Sequence, residues 1–143
     1  MKDELISFET AKLAKEKGFN WETLLTYNNK KLEEYASNYN LDVENVDEVR
    51  LIHLYYNFNG MGGNYISAPT QSLLQRWLRE EYNFHIYIEP HNNKSGMDYT
   101  PYLIIAKYDI QGSKSFDLEK TITSYEEALE IALQEALKLI PIN

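Results

Sequence analysis

Apolar residues recur at helical spacing in three places along the chain, and each place carries its own start and stop signals. In the first, Phe8, Ala11 and Ala14 line one side, Ser7 stands at a capping position, and Gly18 follows where a left-handed residue closes a helix. Phe19 is then placed to fold back on the last turn in a Schellman arrangement, and Asn20 to cap a short second turn over Trp21–Leu25. In the second, Leu73, Leu74, Trp77, Leu78 and Tyr82 form a stripe opposite Gln75, Arg76, Arg79 and Glu80. Pro69 suits the first turn of that helix, and Asn83 its end. The third begins at the capping box Ser124-Tyr125-Glu126-Glu127 and runs through Ala128, Leu129, Ala132, Leu133, Ala136, Leu137 and Ile140, with Tyr125 on the same apolar side, to Pro141.

Between the second and third helices the period changes to two. Phe84–Glu89 alternates as a strand that Pro90 should end. Asn92–Gly96 is a turn cluster, Tyr102–Tyr108 a second strand, Gln111-Gly112-Ser113 a further turn, and Ser115–Ile122 a third strand with Phe116 and Leu118 on one face. The first two strands should form a hairpin with a long tip. Upstream the pattern is mixed. Lys30–Tyr35 has helical character, Asn38–Asn45 is turn-like, and Val49–Phe58 reads as a strand, with a partly helical segment as the alternative. Asn59–Asn64 is a glycine-rich loop.

These elements give an α+β fold: an antiparallel sheet of three to four strands with two main helices on one face, in the order helix-strand-strand-strand-helix, plus an N-terminal helical element. The expected organisation is one domain over residues 1–143, with an N-terminal extension over 1–66 and the core over 67–143. A chain of 143 residues buries a core of useful size without staples.

Composition narrows the chemistry. The absence of cysteine removes disulfides, thiolate metal sites and thiol nucleophiles, and fits a reducing compartment. Met1–Ile6 is charged and lacks the apolar core of a signal peptide, and the apolar runs are far short of a membrane span, so a cytoplasmic protein with no membrane partner is expected. A net charge of −8 opposes phosphate backbones and argues against nucleic acid as a partner, although a local basic patch would be compatible with it. Twelve tyrosines are unusual for this length; they suit protein interfaces and, more commonly, the surfaces of sheets.

No motif names a reaction, a cofactor or a metal. His85, Tyr87, Glu89 and His91 alternate along one strand and share a face, where Glu89 and His91 stand close. His85 and His91 are about 20 Å apart at ~3.3 Å per residue, too far to hold one ion, so a polar strand face explains the set better than a metal site. Gly60-Met61-Gly62-Gly63 lacks the lysine and hydroxyl of a phosphate loop and reads as a connection. Arg76, Arg79 and Lys94 with Trp77 could form a basic, aromatic patch, but Trp77 lies on the core stripe and a solvated helix face accounts for the arginines. Arg76, Arg79, Tyr87, Glu89 and His91 remain as candidate binding residues; no catalytic residue is singled out.

Three stretches carry a resemblance: Ile6–Phe19, Ala68–Arg79, and Tyr125–Glu130 continuing to Ala136-Leu137. Together they resemble a family of short uncharacterised proteins carried by tailed bacteriophages, prophages and gut Bacteroidetes. The likeness covers about a third of the chain and omits Lys30–Tyr65. It implies a phage or mobile-element context and transfers no activity. The order helix-strand-strand-strand-helix also resembles the double-stranded-RNA-binding domain, but that family grips phosphates with basic residues at the start of its last helix, where this chain has Glu126 and Glu127. The expectation is a non-catalytic accessory protein that binds another protein; an acidic surface competing with nucleic acid for a basic host or defence protein is a more specific version of it. A nucleic-acid-binding protein and a small enzyme using His85, Glu89 and His91 are the alternatives. A homodimer through the sheet edge is compatible with the pattern.

Overall fold

In the computed structural model, which describes residues 4–34, 55–107, 110–116 and 121–142, the three helical stretches form as the spacing predicts. Helix α1 spans Phe8–Glu16, and the Ser7 hydroxyl accepts the Thr10 amide at 3.2 Å. Its end is a Schellman motif: the Phe19 amide reaches the Ala14 carbonyl at 2.9 Å and the Gly18 amide the Lys15 carbonyl at 3.1 Å. Gly18 has φ +91°, which a side chain would strain, and Phe19 is buried behind it.

The chain then departs from the expected pattern. Trp21–Leu25 is not a helical turn, because Thr23 exchanges two backbone hydrogen bonds with Tyr56. Leu25–Asn28 is strand β1, and Lys31–Glu34, expected as helix, is strand β2 of a hairpin. Asn29 and Lys30 both take positive φ, 52° and 67°, the conformation of a two-residue type I′ turn, which asparagine tolerates well. Strand β3, Tyr65–Ala68, pairs on the other side of β1 and was not expected from the pattern. The expected strand over Val49–Phe58 falls mostly on residues outside those described; of its end, Tyr56 makes the single bridge to Thr23 and Phe58 opens a 3₁₀ turn, Phe58–Gly60. Asn38–Asn45 also lies outside the described residues.

Contacts divide the chain into two compact units, Leu5–Pro69 and Met1–Glu4 with Thr70–Asn143. The boundary falls just before the second helix. In the first unit α1 lies against the sheet β2-β1-β3, with Phe8 edge-on to Tyr27 at 5.4 Å between ring centroids. The Lys15 ammonium donates to the Tyr65 carbonyl at 2.8 Å. The Asn59 side chain ties the unit together: its amide nitrogen donates to the Phe19 carbonyl and its oxygen accepts the Ser67 amide, both at 2.8 Å.

The second unit is the helix-strand-strand-strand-helix core. Helix α2 covers Gln71–Tyr82, capped by the Thr70 hydroxyl on the Leu73 amide at 3.2 Å. Pro69 therefore lies outside the first turn, just ahead of the cap. Asn83 closes α2 in the left-handed conformation (φ 59°, ψ 33°). Strands β4 (Phe84–Asn93), β5 (Gly96–Lys107) and β6 (Ile110–Ser115) form an antiparallel sheet in the order β4-β5-β6. Gln111-Gly112-Ser113, expected as a turn, belongs to β6; the strand expected over Ser115–Ile122 lies earlier in the chain, and its residues 117–120 are outside those described. Helix α3, Tyr125–Lys138, starts at Ser124, whose hydroxyl accepts the Glu127 amide at 3.3 Å.

The core of this unit is Leu74, Trp77 and Leu78 of α2, Phe84, Ile86 and Leu103 of the sheet, the Ala128–Leu137 stripe of α3, and Ile140 just beyond that helix. Both helices contact β4 or β5 and each other. Alanines at 128, 132 and 136 are fully buried and let α3 approach closely. Gln71 joins the helices, its side-chain amide donating to the Glu126 carbonyl at 2.9 Å and the Glu130 carboxylate at 3.0 Å. Tyr125, expected on the buried stripe, is exposed and meets Tyr99 edge-on at 6.0 Å.

Candidate functional site

Strand register sorts the side chains of β4 and β5 into two sets. Phe84, Ile86 and Ile88 stand opposite Ile105, Leu103 and Pro101, and this set faces the helices. The alternate pairs are His85 with Ile104, Tyr87 with Tyr102, Glu89 with Thr100 and His91 with Asp98, and they occupy the other face, left uncovered by α2 and α3. The hairpin that sets this register is tighter than expected: only Lys94 and Ser95 lie between the paired Asn93 and Gly96. Asn93 braces it, accepting the Ser95 amide through Oδ1 and donating through Nδ2 to the Asp98 carboxylate, both at 2.8 Å. Gly96, at φ +126°, completes the turn.

At the centre of the uncovered face the Tyr87 and Tyr102 rings stack, 5.0 Å between centroids and 10° from parallel. Tyr87 is 42% exposed, and Tyr102 is half-buried beneath it. The Tyr102 hydroxyl donates to the Glu89 carboxylate. Desolvation, the Glu89 charge, that hydrogen bond and Tyr87 together raise the Tyr102 pKa above the ordinary tyrosine value of 10.0. His85 is tethered, its Nε2 2.9 Å from Asn83 Oδ1. Glu89 and His91 are exposed. Among the described residues no group of three His, Asp or Glu side chains could hold a metal ion.

The structure therefore brings Tyr87, Glu89 and His91 onto one surface and leaves Arg76 and Arg79 off it. Both arginines are exposed on α2, the helix that covers the opposite side of the sheet, and Arg76 pairs with Glu80 at 2.7 Å. Tyr102, the partner of Tyr87, was expected only as a strand residue. A two-residue tip at Lys94-Ser95 was the signal that would have paired the two rings.

The edge of β4 is a separate feature. The Tyr99 amide bonds Ile122 and the Pro101 carbonyl accepts from Phe116, so both turn their backbone groups away from β4. By antiparallel alternation, Ile86, Ile88 and Pro90 turn theirs outward, to the edge that no described strand pairs with. That is why Pro90 does not end the strand: its missing N–H costs no ladder bond. The outward carbonyl of Ile86 is taken by the Gln75 side chain at 3.0 Å. Two of the three outward-facing positions, Ile86 and Pro90, are thus partly closed to an added strand.

Among the described residues no helix is long and apolar enough to cross a membrane. No protein-family model, no curated protein and no solved structure matches this chain.

Proposed function

We propose that this chain is a non-catalytic accessory protein of phage or mobile-element origin that acts by binding another protein, through the uncovered face of β4 and β5. The observation that carries this reading is the exposed Tyr87 ring stacked on Tyr102 beside Glu89. Such a pair supplies rigid amphipathic area at low entropic cost, which is what tyrosine contributes to interfaces. The partly closed β4 edge, with the Ile86 carbonyl taken by Gln75 and no N–H at Pro90, favours the face over strand addition as the mode of contact. The phage context rests on the likeness of Ala68–Arg79 and the two flanking stretches.

The helix-strand-strand-strand-helix order favours a nucleic-acid reading by topology alone. Against it, Glu126 and Glu127 stand exposed in the first turn of α3, where phosphate-gripping cations would be needed, and Arg76 is engaged with Glu80. For an enzyme, His85 is tethered to Asn83, and Glu89 and His91 stand exposed on the strand face rather than enclosed by other side chains.

The test is affinity capture with the full chain from bacterial lysate, with and without nuclease. A stoichiometric protein that survives nuclease and is lost with Tyr87→Ala supports the reading. Captured material that disappears with nuclease, and weakens steeply as salt rises, would move the function to nucleic acid.

A further inference from the structure

The uncovered face has a chemistry more specific than an aromatic patch. Its described side chains include two carboxylates, Glu89 and Asp98, and no lysine or arginine. The Tyr87 ring lies flat on Tyr102, so one π-face of the pair is fixed in place, and Glu89 is held beside it by the Tyr102 hydroxyl. A carboxylate that accepts one hydrogen bond keeps acceptor sites for more. A planar cation can satisfy the ring and the carboxylate together, stacking on the first and donating to the second.

We infer that this face receives an arginine side chain from an extended segment of a partner protein, with the guanidinium over Tyr87 and paired with Glu89. The inference rests on the protein-binding reading above and names the chemistry of the partner at that site. Charge complementarity selects a cationic segment, because the site is acidic in a chain of net charge −8. The flat aromatic pair selects arginine over lysine, whose compact, strongly hydrated ammonium gains less from stacking. Tyr87 is the anchor and Glu89 fixes the orientation; Tyr102 positions both.

The experiment is a titration of the isotope-labelled full chain with a blocked Gly-Arg-Gly-Arg-Gly peptide, followed by amide NMR, with lysine and citrulline versions in parallel. Arginine should move amides of residues 85–91 and 98–104, and citrulline, which keeps the shape but not the charge, should bind at least about fivefold more weakly. Glu89→Gln should weaken the arginine peptide by about three- to fivefold, and Tyr87→Ala should abolish the localised shifts. An amide spectrum of Tyr87→Ala that matches the unaltered chain away from residues 85–91 and 98–104 separates loss of the platform from loss of fold. Equal response to arginine and lysine, shifts spread over the whole acidic surface, or unchanged binding by folded Glu89→Gln and Tyr87→Ala would each overturn the inference. Undiminished capture of a partner protein by those two variants would overturn this site and leave the protein-binding reading standing. Localised arginine shifts with no protein partner retained would support the site and count against that reading.

Discussion

The two faces of the β4–β5 ladder share one backbone and one register, yet they do different work. On one, Phe84, Ile86 and Leu103 are buried under α2 and α3, and their energy is that of apolar area removed from water. On the other, Tyr87, Tyr102 and Glu89 form a stacked and hydrogen-bonded cluster that Tyr87 presents to solvent. The difference teaches where to look for function in this fold. A residue on the covered face is explained once its packing is explained, whereas an ordered aromatic pair left in water has no such explanation.

The comparison breaks most visibly at Leu103. It is 0% exposed, and Leu103→Ala should lower stability by about 2–5 kcal/mol, read as a fall in denaturant midpoint. An effect as small as that of a surface substitution would mean that the covered face is not the core. A smaller loss, about 1 kcal/mol, is expected for Ser124→Ala, which removes the acceptor of the Glu127 amide at the start of α3. Thermal unfolding checks it, and Ser124→Asp should restore most of the difference. On the uncovered face Tyr87→Phe should change stability by less than about 0.5 kcal/mol, because the ring and its stacking survive.

The subtlest prediction concerns Tyr102. Its pKa in the folded chain is raised, so the folded state holds the phenolic proton at pH values where the unfolded chain begins to lose it. The stability that this contributes is present below the ordinary tyrosine value of 10.0 and is lost as pH rises through the raised folded value. Carbon NMR of ring-labelled tyrosine should show Tyr102 ionising later than an ordinary tyrosine, and Glu89→Gln should bring it earlier by removing the charge. No change in Glu89→Gln would separate the carboxylate from the ring pair and sharpen the site to the two tyrosines alone.

Legibility in the sequence divides along the same physical line. His85, Tyr87, Glu89 and His91 could be placed on one face from alternation alone, since a strand fixes parity over any few residues. What lies across from them depends on the tip, and Lys94-Ser95 with Gly96 resembled a longer loop until Asn93 was seen to brace it. Arg76 and Arg79 are candidate binding residues by charge alone, and sequence does not say which side of the sheet their helix covers. In the first unit, Lys31–Glu34 became a strand because Asn29 and Lys30 reverse the chain and β1 supplies a partner. Local propensity there was ambiguous, and pairing decided it.

By itself the sequence determined the three helices, the caps at Ser7 and Ser124, the stops at Gly18 and Asn83, and the α+β order of the second half, while the cap at Thr70 emerged only in the structure. The former are local matters of hydrogen bonding and periodicity, settled within a few residues of Ser7, Asn83 and Ser124. Only the tertiary structure decided the first sheet, the passage of β4 through Pro90 and the meeting of Tyr87 with Tyr102. Each depends on a partner distant in the chain: Tyr65–Ala68 for β1, the edge of β4 away from β5 for Pro90, and β5 for the stacked rings. Hydrogen bonds between strands and contacts between faces are non-local, so their outcome is written in the pairing and not in any one segment.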